Sequence, residues 1–401
     1  MYTEVEISNF KSLAHVHLKP GRFNLFVGPN GSGKSNFLDA LRVLQGVASG
    51  FSVDEVFNGR ARSATTAEWE GIRGGGRNAG FFPRNGRDDE AVIRFAVGVA
   101  GHSVHPGRHA RYGLTIQPIP ERILGEELEC DGQQVFASDA VRFNADSFEG
   151  AEFLRRMRLD TVDLMQSLLP RLARRETPES LSCQFAIDEM TDLQRFEPVL
   201  AVLRDYSQAH SVRRMGDRGE YFATVVRQIL EDDGQKAAYL GWLQQLTPAE
   251  MDDVIVLKGA LGEPLFATVS GGRQFPAPVL SDGTLRFAAY VALFFQPEMP
   301  KVLMIEEIEN GIHPTRLRLL LELLKSQSAA TGTQIMATTH SPIVLAWLEE
   351  EDYGTTFVCQ RDEESGATSI TPLSEIPYLL DIVRRRSLGE LFAEGWLEAV
   401  A

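Results

Sequence analysis

Gly28-Pro29-Asn30-Gly31-Ser32-Gly33-Lys34-Ser35 is the stretch that decides the fold. It satisfies G-x-x-x-x-G-K-[ST], and its flanks suit that pattern. Before it, Phe23-Asn24-Leu25-Phe26-Val27 reads as a strand; after it, Phe37, Leu38, Leu41 and Leu44 recur at helical spacing within 35–45. In a strand–loop–helix unit of this kind, the glycines let successive backbone N–H groups converge on phosphate oxygens, with the positive end of the helix dipole behind them. Asn30, Gly31, Ser32 and Gly33 are therefore candidates for the cradle. Lys34 is the candidate for the β- and γ-phosphates of a nucleotide, and Ser35 for a Mg2+ ligand.

Outward from this loop, Val5, Ile7, Val16 and Leu18 mark two extended segments at the N-terminal side. Residues 50–89 dissolve into Gly, Arg, Asn and Ser, a length at which a structureless loop is uncommon. Alternating segments at 91–99, 111–117, 126–130 and 134–137 predict an antiparallel meander. Helical periodicity then governs 150–255, with helices expected over 153–172, 192–206, 221–231 and 235–246. Strands and helices alternate from about Val254, and helices are expected at 377–386 and 388–400. The expected organisation is a first part of one α/β domain over 1–149, a helical insertion over 150–255 and the remainder of the domain over 256–401.

Three more stretches carry chemistry. Lys301-Val302-Leu303-Met304-Ile305-Glu306-Glu307 is an apolar strand ending in two acids, which point to opposite sides. Glu306 is assigned to the metal sphere, and Glu307 to the attacking water as general base. Gln334-Ile335-Met336-Ala337-Thr338-Thr339-His340 is a second apolar strand, ending in a histidine that could hydrogen-bond the γ-phosphate. Leu280-Ser281-Asp282-Gly283-Thr284 opens a helix. There Ser281 and Gly283 offer a hydroxyl and backbone N–H groups to an anion, although Ser-Asp-Gly is also an ordinary helix N-cap.

The ordered set resembles the ATP-binding-cassette superclass of P-loop ATPases, in the branch with SMC, Rad50, RecF and OLD-type ATPases, and within it the bacterial ATPases labelled AAA-15 or AAA-21. Ile7-Ser8-Asn9-Phe10-Lys11-Ser12-Leu13 is similar to that branch's opening strand and 28–35 to its Walker A. Residues 280–284 are similar to its signature, Ile305 to Pro314 to its Walker B and D-loop, and 339–342 to its switch histidine. The resemblance implies an α/β P-loop NTPase head of ABC type with an antiparallel β-meander lobe and an inserted α-helical subdomain. It implies an ATP hydrolase, catalysed by Glu307 and His340, that uses ATP and Mg2+ and forms a homodimer with ATP sandwiched between Walker A of one copy and Ser281 and Gly283 of the other. Asp282 stands where many relatives carry Gly and Glu306 where Asp is commonest, and no Q-loop glutamine is evident.

Such a switch needs a client: a separately encoded effector, a nuclease or toxin, in a defence or repair setting, with DNA or RNA as a possible trigger. Arg60, Arg62, Arg73, Arg77, Arg84 and Arg87, with Phe81-Phe82, would suit a nucleic acid, whereas solvated loops have the same composition. The formal charge of −15 gives a polyanion no global attraction. The alternative is an ATP-binding scaffold that holds an assembly with little hydrolysis. Composition, at 43% hydrophobic and 24% charged, is that of an ordinary globular chain. Cys130, Cys183 and Cys359 lie in no metal or redox spacing. No apolar run approaches the roughly 18 residues of a membrane span, and the opening Met1-Tyr2-Thr3-Glu4 lacks a basic region ahead of an apolar one, so no membrane association and a cytoplasmic location are expected.

Overall fold

The computed structural model describes residues 1–61, 67–81, 92–101, 105–139, 148–159, 163–246 and 251–400. The chain divides into two compact units: Met1–Leu193 with Glu351–Leu379 and Gly395–Ala401, and Gln194–Glu350 with Leu380–Glu394.

In the first unit, a six-stranded antiparallel sheet has the order Leu13–Leu18, Tyr2–Phe10, Ile93–Ala100, His109–Pro118, Glu121–Cys130, Gln133–Asp139. The expected meander is present, its last three strands longer than the sequence pattern marked and its first shifted to Ile93–Ala100. Side chains alternate across the sheet, so pairing Ile7 with both Val16 and Phe95 puts Val5, Ile7, Phe95, Val97, Tyr112, Leu114, Leu128 and Phe136 on the buried face. The strand Phe23–Val27 is buried throughout. It runs parallel to Thr356–Arg361, which pairs antiparallel with Thr368–Pro372. Burial on both faces explains why Phe23–Val27 reads as a nearly continuous apolar run. The helix Lys34–Ala48 follows, its Phe37 ring 4.5 Å from that of Phe26. Its Gln45 amide donates to the carbonyls of Thr191 and Leu193, which anchors the end of the helix Ser180–Thr191.

In the second unit, Val302–Ile305 and Gln334–Thr339 are parallel neighbours, with Leu303 opposite Ile335 and Ile305 opposite Ala337. Parallel pairing requires a crossover, here the helix Leu317–Thr331, which ends at Gly332 with φ 77°. On the other side of Val302–Ile305 lies Leu193–Phe196. The helix Asp282–Phe294 is buried along most of its length and receives the Tyr239 hydroxyl at the Ala288 carbonyl. A three-stranded antiparallel sheet, Asp253–Lys258, Pro264–Ser270 and Arg273–Pro276, packs its Phe266 on Phe222.

Three helical expectations are corrected. Residues 192–206 hold the strand Leu193–Phe196 and a single turn Leu200–Leu203, because Pro198 disfavours helix before it and the strand finds a pairing partner. Residues 153–172 hold two helices, Phe148–Arg156 and Leu168–Ala173, and 388–400 holds Leu388–Ala393 and Trp396–Val400, parted at Gly395 with φ 72°.

Candidate phosphate-binding loop and catalytic residues

The phosphate loop lies in the first unit, between the buried strand and the N-terminus of Lys34–Ala48. Gly31 and Gly33 take φ of 82° and 100°, a region L side chains rarely enter. A Cβ on Gly33 would collide with the Thr368 and Ser12 side chains, and Thr368 itself donates to the Ser32 carbonyl at 2.9 Å. Nothing lies within 4 Å of where a Cβ on Gly31 would project, so that side of the loop is open. Lys34 is buried, and its ammonium donates to the carbonyls of Gly28 and Pro29 at 2.6 and 2.9 Å, across the arch of the loop. Ser32 Oγ is buried without a hydrogen-bond partner. Under Gly28 runs the backbone of Cys359, whose thiol burial pushes up to about 12 even though the Lys34 charge pulls the other way. Cys359 is thus a neutral wall of the loop.

Beside the loop is a cleft of about 530 Å³ lined by Ser35, Asn36, Asp39, Lys11, Arg73 and Arg361, among others. The Asp39 side chain is 7% exposed and takes Lys11 at 2.6 Å and Arg73 at 3.1 Å. Two cations thus share one buried carboxylate in the cleft that Ser35 also lines. Arg73 belongs to the Arg-rich stretch, and so does Arg60, which pairs with Glu55 and Glu68. Arg62, Phe82, Arg84 and Arg87 lie outside the described residues.

The acidic pair and the histidine lie in the second unit, at the ends of its two parallel strands. Glu306 is 10% exposed and pairs with Arg195 at 3.2 Å. Glu307 stands at φ 49°, a left-handed conformation uncommon for a side-chain-bearing residue, with its N–H bound to Thr338 Oγ1 at 2.9 Å. Strain of this sort costs about 1–3 kcal/mol and persists where surrounding bonds fix it. Here those bonds come from the neighbouring strand, since Ile308 N–H also donates to the Thr338 carbonyl. His340 Nδ1 lies 3.0 Å from Glu309 Oε1.

Ser281 is the N-cap of Asp282–Phe294, its Oγ accepting from the Thr284 N–H at 3.2 Å, so the ordinary capping role is met. Asp282 pairs with Arg204 at 2.6 Å. Ser281 and Gly283 also line a cleft of about 560 Å³ together with Gly311, Ile312, His313 and Arg316. A Cβ on Gly283 would come within 3.1 Å of the Gly311 carbonyl, a close approach that glycine permits. Residues 281–283 and 311–316 thus share one open surface of this unit.

Of the predicted residues, Asn30, Gly31, Ser32, Gly33, Lys34 and Ser35 lie together in the first unit. Glu306, Glu307 and His340 lie together in the second, as do Ser281 and Gly283. The sequence reading missed Arg195, Glu309 and Thr338, which hold Glu306, His340 and Glu307. The features of the loop fit a triphosphate: an open glycine, a buried hydroxyl lacking a partner, and an ammonium inside the arch. Among the described residues no three His, Cys, Asp or Glu gather as a metal cage. Mg2+ held on phosphates needs only one or two protein ligands, and beside the loop the Ser35 hydroxyl is a donor of the kind it takes. No helix among the described residues is long and apolar enough to cross a membrane.

Residues 1–69 match the family model described as "AAA ATPase domain", and residues 230–346 that described as "AAA domain, putative AbiEii toxin, Type IV TA system". No curated protein matches the chain in sequence. Among solved structures, an SMC head bound to the C-terminal winged-helix domain of ScpA aligns at 11% identity, over 93% of this chain and 99% of that chain, with a TM-score of 0.50. The SMC head domain from Thermotoga maritima aligns at 13% identity, over 92% and 98%, with a TM-score of 0.44. Two ATPase family models thus match separate stretches of the chain, 1–69 and 230–346, and its fold is similar to that of an SMC head.

Proposed function

We propose that the chain binds Mg-ATP on Gly28–Ser35 and hydrolyses it, as a dimerising switch that controls a separately encoded effector. The observation that carries this is the loop, in which Lys34 is held inside the arch by the carbonyls of Gly28 and Pro29. Phosphate oxygens there would gain a charge-assisted bond from Lys34 and one from Ser32 Oγ. Bound Mg2+, on Ser35 and Glu306, would supply charge neutralisation at the transferring phosphoryl group. Glu307 receives a proton from the attacking water. His340, held by Glu309, bonds the γ-phosphate.

The surface shared by Ser281, Gly283, Gly311 and His313 supports a second copy presenting its own nucleotide there. Such closure stores the energy of ATP binding in the dimer and releases it on hydrolysis. An effector of nuclease or toxin type is the client that the family resemblance favours. DNA or RNA is a weaker candidate, since Arg60 and Arg73 already face carboxylates.

Light scattering on Glu307→Gln with ATP and Mg2+ tests the switch: a dimer is expected, reverting to monomer in Lys34→Ala. A monomer in both would remove the sandwich. Affinity capture on the trapped Glu307→Gln dimer, followed by identification of bound protein and nucleic acid, tests the client.

A further inference from the structure

Ser281 and Gly283 line the cleft they share with Gly311 and His313, and Asp282 between them does not. Its carboxylate is turned instead to Arg204, the residue that follows the single turn Leu200–Leu203. One guanidinium nitrogen of Arg204, Nη2, donates to Asp282 Oδ1 at 2.6 Å and to the Leu280 carbonyl at 3.2 Å, so a single group spans the residues on both sides of Ser281. Nε of the same guanidinium is buried with no hydrogen-bond partner. An arginine built for the firmest brace presents two parallel N–H groups to its carboxylate. Arg204 gives Asp282 one bond and a full charge.

Asp282 opens the first turn of Asp282–Phe294, where the positive end of the helix dipole favours a negative charge. Left to itself, this carboxylate is that end's own anion, and at 59% exposed it has room to reach it. A triphosphate arriving at Ser281 and Gly283 would then meet a like charge one residue away. The titratable side chains that do line the cleft, His313 and Arg316, add no negative charge to it. The ion pair with Arg204 both neutralises the carboxylate and points it out of the cleft.

We propose that Arg204 is a positioning residue that holds the Asp282 charge out of the Ser281–Gly283 cleft and so lets that cleft accept the triphosphate of a second copy. The inference rests on the dimer reading above. It makes the damage done by losing Arg204 conditional on Asp282. An arginine that only braces the turn is missed whether or not residue 282 is charged.

The test uses the full chain in the Glu307→Gln background with ATP and Mg2+, with the dimer dissociation constant read by sedimentation over a concentration series. Arg204→Gln is expected to weaken the dimer on the order of tenfold, the scale of one added like charge near a phosphate, with the affinity of the monomer for ATP kept. That deficit should shrink as salt is raised, because exposed charges are screened. Asp282→Asn alone is expected to dimerise as the parent does, and Arg204→Gln combined with Asp282→Asn to recover the parent value. Arg204→Lys, which keeps the charge, is expected to lie between the parent and Arg204→Gln. A double variant as weak as Arg204→Gln alone, or an undiminished dimer in Arg204→Gln, overturns the inference. Ser281→Arg distinguishes that failure from a failure of the reading beneath it: a dimer that persists with this bulk in the cleft, or a parent that stays monomeric, removes the sandwich itself.

Discussion

Glu309 Oε1 accepts a hydrogen bond from the His340 backbone N–H at 2.6 Å and lies 3.0 Å from the ring Nδ1 of the same residue. A carboxylate only accepts, so an Nδ1 this close to it favours the Nδ1–H tautomer and leaves Nε2 for another partner. The neutral ring then presents an acceptor at Nε2, and the protonated ring a donor for a phosphate oxygen. Glu309 is 10% exposed and His340 42%, so the fixed member is the acid and the ring is aimed by it.

That geometry predicts different outcomes for two substitutions at one position. Glu309→Ala removes the backbone bond and the carboxylate beside the ring and should lower kcat on the order of 10–100-fold, the cost of a misplaced catalytic group, with the affinity for ATP kept. Glu309→Gln retains a carbonyl oxygen for the backbone N–H and beside the ring, and should recover most of the rate. Steady-state kinetics on the two variants check this; equal losses would mean that Glu309 acts by its charge rather than by orienting the ring.

The two left-handed glycines of the loop should also differ. Gly33→Ala adds a collision with Thr368 and Ser12 to an unfavourable φ, whereas Gly31→Ala meets only the unfavourable φ. Urea denaturation should show Gly31→Ala losing about 1–2 kcal/mol, the cost of a left-handed alanine, and Gly33→Ala losing more. Equal losses would contradict the packing of Thr368 against the loop.

Within the first unit, the meander is pinned to its helices by Glu126, which accepts from Tyr112 at 2.8 Å, from Leu168 N–H at 2.7 Å and from Leu169 N–H at 3.1 Å, and also from Ser167. Burial nevertheless pushes its carboxyl above the ordinary value of 4.5, against the pull of these donors. A raised folded-state value means that the folded chain holds this proton more tightly than the unfolded chain. The contribution to stability is therefore full below about pH 4.5 and declines as pH rises through the folded value. Glu126→Gln does not titrate, so the stability of wild type minus that of Glu126→Gln should fall between pH 5 and 8. Parallel urea titrations at the two pH values measure it, and a difference that rises with pH would contradict the direction.

How much of this was legible depends on whether a signal is local. Phe23 to Leu44 carries its own strand, turn chemistry and helix within one window, and the meander carries its alternation. Both were readable because local pattern and tertiary packing agree. Leu193, Phe196, Leu200 and Leu203 are spaced 3, 4 and 3 residues apart, which is helical spacing, yet the first two belong to a strand beside Val302–Ile305. Pairing with a strand more than a hundred residues away overrode that periodicity. The same distance hid Arg195 from Glu306. Glu309 and Thr338, each some thirty residues from its partner, carry no spacing that announces them. For Ser281, the cap role is met in the structure, and its place in the cleft supports the anion-binding role proposed for it.

The central claim is that Glu307 drives hydrolysis of an ATP gripped by Lys34. Phosphate release by wild type and by Glu307→Gln, with ATP affinity measured on both by calorimetry, tests it most directly. The account predicts equal affinities and a rate at least about a hundredfold lower in Glu307→Gln, the typical loss on removing a general base. Indistinguishable, near-zero rates in the two proteins would contradict it and leave an ATP-binding scaffold in its place.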